Sequence, residues 1–492
     1  MDGNVNSASL SKKDVRAATA EKLKDMLKDI DNASAAGSKN GFCARTRIEA
    51  LFDDGTFTEM GAYVRRKQKE NEFEGVICGY GAIDGKLVFA FSQDSSRMKG
   101  AFDEMHAEKI AGVYTAAMKN GAPVVGIFDS IGAIVYDGVS ALASFGRVMK
   151  CVSDASGVIP QIAVIPGVCA GSAATVAAMF DLAVTVEGKT NMYVNSPFLL
   201  GDKNGSAAFA AENGLSAKVA ADEAEAYRTV RELVSLLPSN NAEGMNTVET
   251  GDDINRRVEV NAGDMKGVTE LIGDGCRFCE LYSSYAPEII TGLTSFGNIV
   301  SGVIANNSQI NGGTITVGAA RKAARFVSFC DSFNIPLVTL VNSVGLDISE
   351  NAERAPFASE LAKLALAYTS SENAKVTVVL GKAYGAAYTL MGSKSVGADM
   401  AFALDSAAIG VLPPESAVAF VWNDRVSGKG SREELEKQWT EICSSPVDAA
   451  EKGEIDDIID ASELRARICG AVSMLAMKSE MYPDRRHPVL PL

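Results

Sequence analysis

Two glycine-rich stretches carry the residues best suited to chemistry. Gly167-Val-Cys-Ala-Gly-Ser-Ala173 and Gly381-Lys-Ala-Tyr-Gly-Ala-Ala387 each follow a run of buried-type β-formers, Ile162–Pro166 and Val376–Leu380, and each opens a helical pattern. A strand that turns directly into a helix leaves main-chain N–H groups without intrahelical partners, and these favour a negative oxygen. Gly171, Ser172 and Ala173, like Gly385, Ala386 and Ala387, are small, so a planar ligand oxygen can come close to the main chain. The chemistry that fits is stabilisation of an enolate-like oxygen, where each aimed donor contributes about 2.7–4 kcal/mol. Such a role belongs to the backbone, and residue identity matters through size.

The elements that must position these turns occur twice. Lys109 to Pro123 and Lys322 to Pro336 have the same length, carry apolar residues at helical spacing, and run into Pro-led β segments, Val124–Asp129 and Leu337–Asn342. Both β segments end in turns of one shape, Asp129-Ser-Ile-Gly132 and Asn342-Ser-Val-Gly345. The offset of 213 residues here and of 214 at the glycine stretches is hard to produce by chance. The chain therefore reads as a duplicated α/β unit, with its repeat boundary in the polar segment 240–290. Glu212–Leu237, rich in Ala, Glu and Leu, reads as a helical insertion. The expected division is a helical extension over 1–40 and two domains over 41–270 and 271–492. Gly132, Ala133 and Gly345, beside Ala173 and Gly385, are candidate substrate-binding positions, with Gly171, Ser172, Ala386 and Ala387 as candidate catalytic ones.

Composition excludes several classes. A formal charge of −15 over 492 residues argues against a nucleic-acid partner. The N-terminus, Met-Asp-Gly-Asn-Val-Asn-Ser-Ala-Ser-Leu, has no apolar core of a secretory signal, so a cytoplasmic protein is expected. The apolar run Ile159–Val184 contains Gln161, Asp181, two prolines and two glycines, and reads as core rather than membrane span. Of nine cysteines only Cys276 and Cys279 are close together, without a second such pair, so the cysteines are expected to be small buried hydrophobes and no metal site is expected. No phosphate-binding Gly-x-x-x-x-Gly-Lys-[Ser/Thr] loop is present, so ATP chemistry is not expected in this chain.

From Ala44 onward the chain resembles the biotin-dependent carboxyltransferases, a family that includes propionyl-CoA carboxylase β subunits and the α subunits of sodium-pumping acyl-CoA decarboxylases. The resemblance rests on Ala44-Arg-Thr-Arg-Ile-Glu-Ala-Leu-Phe-Asp-Asp-Gly, Gly75-Val-Ile-Cys-Gly-Tyr-Gly-Ala-Ile-Asp-Gly85, Lys382-Ala-Tyr-Gly-Ala-Ala-Tyr-Thr-Leu-Met-Gly-Ser-Lys394 and Ala449-Ala-Glu-Lys-Gly-Glu-Ile-Asp-Asp457. It implies two tandem crotonase-like domains, each a ββα spiral, with acyl-CoA held by the N-terminal half and biotin by the C-terminal half. It also implies carboxyl transfer between N1 of biotin and the α-carbon of a short acyl-CoA, propionyl-CoA or methylmalonyl-CoA first among them. By position, Gly171 and Ser172 would face the thioester oxygen, and Ala386 and Ala387 the ureido oxygen. The implied partners are a biotin carboxyl carrier protein together with either a biotin carboxylase subunit or membrane sodium-pump subunits. A homohexamer built as a dimer of trimers is implied too, with sites between subunits.

The chain departs from the family pattern at Ile131 and Ile134, where a Gly and an Arg are usual, at Asn342 to Leu346, at Leu361, and at Gly381, which replaces an Arg. These departures motivate a rival reading, a diverged non-catalytic or scaffold homologue. A crotonase-type hydratase or isomerase is a third reading. A hydrolase is rejected, because Ser130 lacks the Gly-x-Ser-x-Gly elbow. Arg45, Arg47, Arg97 and Lys99 are candidates for CoA phosphates. His106 is expected to be a surface residue without a role, and the other histidine is His487. Ala117-Met-Lys119 and Ala476-Met-Lys478 lie in helical patterns, so the chain is expected to receive biotin from a partner rather than carry it.

Overall fold

The computed structural model describes residues 12–37, 42–65, 73–200, 204–426, 431–480 and 489–491, so His487 lies outside the described residues. These residues form two compact units, one comprising residues up to Ala207 with Ala220–Arg231, the other Ala208–Val219 with Glu232 onward.

In the first unit a β-hairpin, Val76–Ile83 with Lys86–Gln93, is flanked by the short Thr58–Met60 strand, and all three pair antiparallel. The sheet then turns parallel. Val124–Ile127 pairs with the hairpin, Gln161–Ile165 with Val124–Ile127, and Leu182–Val186 with Gln161–Ile165. The parallel strands read as unbroken apolar runs because helices cover them. Helix Glu104–Asn120 starts at Asp103, whose side chain accepts from the His106 N–H, and ends at Gly121 in the left-handed region. Its Ile110, Val113 and Ala117 pack with Phe91, Phe102, Val148 and Val152 into one core.

The second unit repeats this order. Cys279–Leu281, Ile289–Phe296 and Ile299–Asn306 pair antiparallel, and Leu337–Ser343, Lys375–Tyr384, Met400–Leu404 and Asp457–Ile459 continue in parallel. Helix Val317–Ser332, capped by the Thr316 hydroxyl, stands where Glu104–Asn120 stands in the first unit. The repetition extends to single atoms. Lys109 Nζ donates to the Val76 carbonyl and Lys322 Nζ to the Ile289 carbonyl, at 2.5 and 2.6 Å. The Phe89 N–H donates to the Pro123 carbonyl, and the Gly302 N–H to the Pro336 carbonyl. This mixed α/β arrangement is the crotonase-like class expected from the resemblance.

Three expectations need correction. Glu212–Leu237 is not one helical passage: it holds the strand Lys218–Ala220 between helices Ala207–Glu212 and Glu223–Leu236. The Ala220 carbonyl accepts from Glu187 N–H, which extends the first sheet. His106 is fully buried rather than at the surface. Its Nδ1 lies 3.1 Å from Glu74 Oε1 and its Nε2 3.1 Å from Gln93 Nε2. Because Gln93 Oε1 accepts the Asp129 N–H, Gln93 must present its amide protons to His106 Nε2, so Nδ1–H is the donor to Glu74. Cys276 is exposed and Cys151 and Cys443 are half-buried, while the remaining cysteines are buried. Among the described residues, no helix is long and apolar enough to cross a membrane.

Candidate active site

In the first unit the strand Val168–Ala170 pairs in parallel with Asn191–Tyr193 and stops at Gly171, where φ is +60° and ψ −125°. That conformation is open to glycine and strained for any side chain. The helix Ser172–Ala178 begins at the next residue. In the second unit Lys375–Tyr384 pairs with Ala408–Gly410, stops at Gly385 with φ +60° and ψ −147°, and is followed by the helix Ala386–Leu390. The sequence expected both corners, and the structure builds them alike.

The donors differ from the sequence expectation in one respect. The Gly171 N–H is not available to a ligand: it donates to the Tyr193 carbonyl at 2.8 Å, and the Gly385 N–H donates to the Gly410 carbonyl at 2.9 Å. These bonds extend the short strand pairings by one rung. The amides left over are those of Ser172 and Ala173, and of Ala386 and Ala387, for which no acceptor exists among the described residues; the next amides, at Ala174 and Tyr388, already turn back to Gly171 and Gly385. None of these four residues has positive φ, so Ser and Ala sit there without strain. Small side chains therefore leave the same two donors that glycine would.

A second loop meets each corner. Gly132, with φ +101°, lies so close that a Cβ on it would stand 3.3 Å from the Ala170 carbonyl oxygen. Its N–H donates to Ser130 Oγ at 3.1 Å, just as Gly345 N–H donates to Ser343 Oγ at 3.2 Å. The carbonyls of Gly132 and Gly345 accept from Phe102 and Ile315, which ties each loop to the segment leading into helix Glu104–Asn120 or Val317–Ser332. Ala133 bridges Phe102. In the second unit Gly345, Gly385 and Ala386 line one cavity of about 740 Å³, together with Val344, Leu346 and Tyr384. A smaller cavity of about 590 Å³ shares Gly385 and Ala386 and continues toward Tyr388 and Trp439. Burial, followed by the charge of Glu415, pushes the Tyr384 phenol upward. Burial and Glu454 push Tyr388 up to about 12. Both phenols stay protonated at neutral pH, and the Tyr388 hydroxyl donates to the Glu454 carbonyl at 3.3 Å.

The basic residues named for CoA phosphates divide. Arg47 is buried and paired with Asp129 at 2.8 Å and Glu223 at 2.9 Å, Arg45 pairs with Asp31 and Glu59, and Arg97 pairs with Asp94. Burial works against the Arg47 charge, but Tyr227, Glu223 and Asp129 outweigh it and raise its pKa. Lys99 alone of the four is exposed, in a turn whose carbonyl accepts from Ile131 N–H. Gly381, where the resemblance implies an Arg, has a structural reason. A Cβ there would lie 2.5 Å from Asn342 Oδ1, and a Cβ at Gly167 would lie 2.3 Å from Asp129 Oδ1. Glycine is demanded at both positions by the side chain facing it. Among the described residues no group of three or more His, Cys, Asp or Glu side chains is placed to hold a metal ion.

Residues 36–490 match the family model of the carboxyl transferase domain. The chain is 35% identical to methylmalonyl-CoA decarboxylase subunit alpha of Veillonella parvula over 476 residues, which cover 91% of this chain and 93% of that one. It is 32% identical to the carboxyltransferase subunit of propionyl-CoA carboxylase from Haloferax mediterranei, covering 96% and 98%. Among solved structures, the hexameric transcarboxylase 12S with methylmalonyl-CoA and methylmalonic acid bound superposes with a TM-score of 0.90 at 29% identity, covering 98% of this chain and 99% of that one.

Proposed function

Because the chain belongs to the carboxyl transferase family, we propose that its two corners act as the two oxyanion sites of a biotin-dependent acyl-CoA carboxyltransferase. The first unit would take a short acyl-CoA, with propionyl-CoA and methylmalonyl-CoA the preferred pair, and the second unit would take biotin carried by a partner. Biotin supplies the ureido nitrogen that gives or receives the carboxyl group. The chain's own part is electrostatic. The Ser172 and Ala173 N–H groups hold the thioester oxygen as it gains charge when the α-carbon becomes nucleophilic, and the Ala386 and Ala387 N–H groups serve the urea oxygen. An apolar bicycle with one urea oxygen needs apolar walls and one or two donors. The cavity beside Gly385 has both, in Val344, Leu346 and the Ala386 amide.

The observation that carries this reading is the recurrence of two adjacent unpaired amides, one residue beyond a positive-φ glycine, in each unit. The partners proposed are a biotin carboxyl carrier protein and either a biotin carboxylase or membrane sodium-pump subunits. Assembly as a homohexamer in the cytoplasm is proposed with them, following the hexamer named for transcarboxylase 12S. The test is decarboxylation of malonyl-, methylmalonyl- or glutaconyl-CoA by the purified protein with free biotin or a biotinylated carrier. Turnover of methylmalonyl-CoA supports the reading. No turnover of any of the three, with no heat of CoA binding, favours the scaffold alternative, and hydration of crotonyl-CoA would favour a hydratase.

A further inference from the structure

The parallel strands that lead to each corner lose their register just before it. In the first unit pairing runs to Ile127 opposite Val164 and resumes at Ser130 opposite Cys169, three steps on one strand against five on the other. In the second unit it runs to Val341 opposite Val379 and resumes at Ser343 opposite Ala383, two steps against four. Each sheet therefore absorbs two extra residues at the same place. A bulge of this kind leaves ladder groups unpaired unless something else pairs them.

One side chain fills each bulge. Asp129 Oδ1 accepts the Val168 N–H at 3.3 Å, and Asn342 Oδ1 accepts the Lys382 N–H at 2.9 Å. The glycine before each of these donors lies flat against the same oxygen, which is why Gly167 and Gly381 admit no Cβ. Behind them the N–H of Asp129 is held by Gln93 Oε1 and that of Asn342 by Asn306 Oδ1, at 3.1 and 3.2 Å. The corner amides follow within a few residues of the bridged gap.

We propose that Asp129 and Asn342 are positioning residues, each setting the placement of its own corner through the bulge it fills. The assignment deepens the functional reading above and rests on it for the identity of the substrates. Neither group is placed as a general base. Asp129 Oδ2 already accepts from Arg47 Nη1 and Ser95 Oγ, both at 2.8 Å, and Asn342 Nδ2 donates to the Ala262 carbonyl at 2.6 Å. The surroundings match the chemical type. The carboxylate is offset by a buried arginine that also binds Glu223, and Glu223 binds Lys189 at 2.7 Å. The carboxamide instead faces a carbonyl. Exchanging the two types is therefore unfavourable in both directions: Asp129→Asn leaves the Arg47 charge short of one partner, and Asn342→Asp places a carboxylate oxygen against the Ala262 carbonyl.

The test is amide hydrogen exchange of the full-length protein, read by peptide, alongside steady-state kinetics with methylmalonyl-CoA and free biotin. Asp129→Asn should accelerate exchange several-fold in 165–175, as loss of one buried hydrogen bond implies, and leave 379–389 unchanged; Asn342→Asp should do the reverse. In kinetics, Asp129→Asn should raise KM for methylmalonyl-CoA without moving KM for biotin, and Asn342→Asp the opposite. Should Asp129→Asn not fold, Arg47→Met/Asp129→Asn removes the charge imbalance and must show the same confined pattern. Exchange that rises in both segments or in neither, or a KM change shared equally by both substrates, overturns the proposal. If the exchange patterns are confined as predicted but the wild-type protein turns over no acyl-CoA, the positioning roles stand and the functional reading falls.

Discussion

The Gly171 N–H donates to the Tyr193 carbonyl, so the glycine at the corner belongs to the framework and the ligand donors begin one residue later. Gly385 and Gly410 repeat the relationship in the second unit. A substitution at either glycine thus tests the frame, and a substitution at the following residue tests the chemistry.

Proline is tolerated at the first position of a helix, where its missing N–H breaks no helical bond. Ser172→Pro and Ala386→Pro are therefore expected to keep the fold and to lower kcat by about 10²- to 10³-fold each, the usual cost of one oxyanion donor. Steady-state kinetics with thermal melting separates the two effects. A folded variant with unchanged kcat removes that amide from the mechanism.

At Gly171 and Gly385 the added atoms would meet no neighbour or only the Val411 carbonyl oxygen at 3.4 Å, but φ is +60° at both. Gly171→Ala and Gly385→Ala should destabilise by roughly 1–3 kcal/mol through backbone strain alone. Gly171→Pro should do more, since proline fixes φ near −65° and also deletes the bond to Tyr193. Chemical denaturation gives the values. Gly146, exposed within helix Val139–Ala155 with open space around it, is the control: Gly146→Ala should stabilise by about 0.5–1 kcal/mol.

Gly381→Arg installs the residue type that the family resemblance implies there, yet it should impair this protein, because any Cβ there meets Asn342 Oδ1. A loss of roughly 1–3 kcal/mol is expected for Gly381→Ala as well. Adding Asn342→Ala should recover part of that loss. An additive double variant, by urea unfolding, would show that the two positions do not share a contact.

Lys322 is buried and donates to the carbonyls of Tyr282, Tyr285 and Ile289. Burial lowers its pKa from 10.5 to about 8, so between those values the unfolded chain binds the proton more readily than the folded one. Stability attributable to this group is then fully present above pH 10.5 and lost as pH falls through 8. Relative to Lys322→Met, the wild type should gain on the order of 3 kcal/mol across that window. Unfolding free energies at several pH values measure the difference, and a flat difference would contradict it.

Much of the frame was legible because it is written twice. The pairs Asp129 with Asn342 and Lys109 with Lys322 fixed the register, and buried strands leading into small-residue turns gave both corners. What periodicity does not report is which N–H groups are already paired: Gly171 looked like a donor until the Asn191–Tyr193 strand came alongside. His106 looked exposed beside Asp103 and Glu104, since its partners come from afar in the chain, Glu74 just before the hairpin and Gln93 at its end. Gln93 and Asn306 were missed although they stand at the same 213-residue offset; extending the repeat upstream of Lys109 would have found them. Gly381 looked like a lost arginine because its constraint comes from a side chain on the neighbouring strand.

The central claim is that two pairs of bare amides receive two substrate oxygens. A crystal structure of the protein with methylmalonyl-CoA and biotin tests it directly. The account predicts the thioester oxygen within hydrogen-bond distance of the Ser172 or Ala173 N–H, and the ureido oxygen within that distance of the Ala386 or Ala387 N–H. Both oxygens bound elsewhere, with those four amides facing solvent, would contradict it.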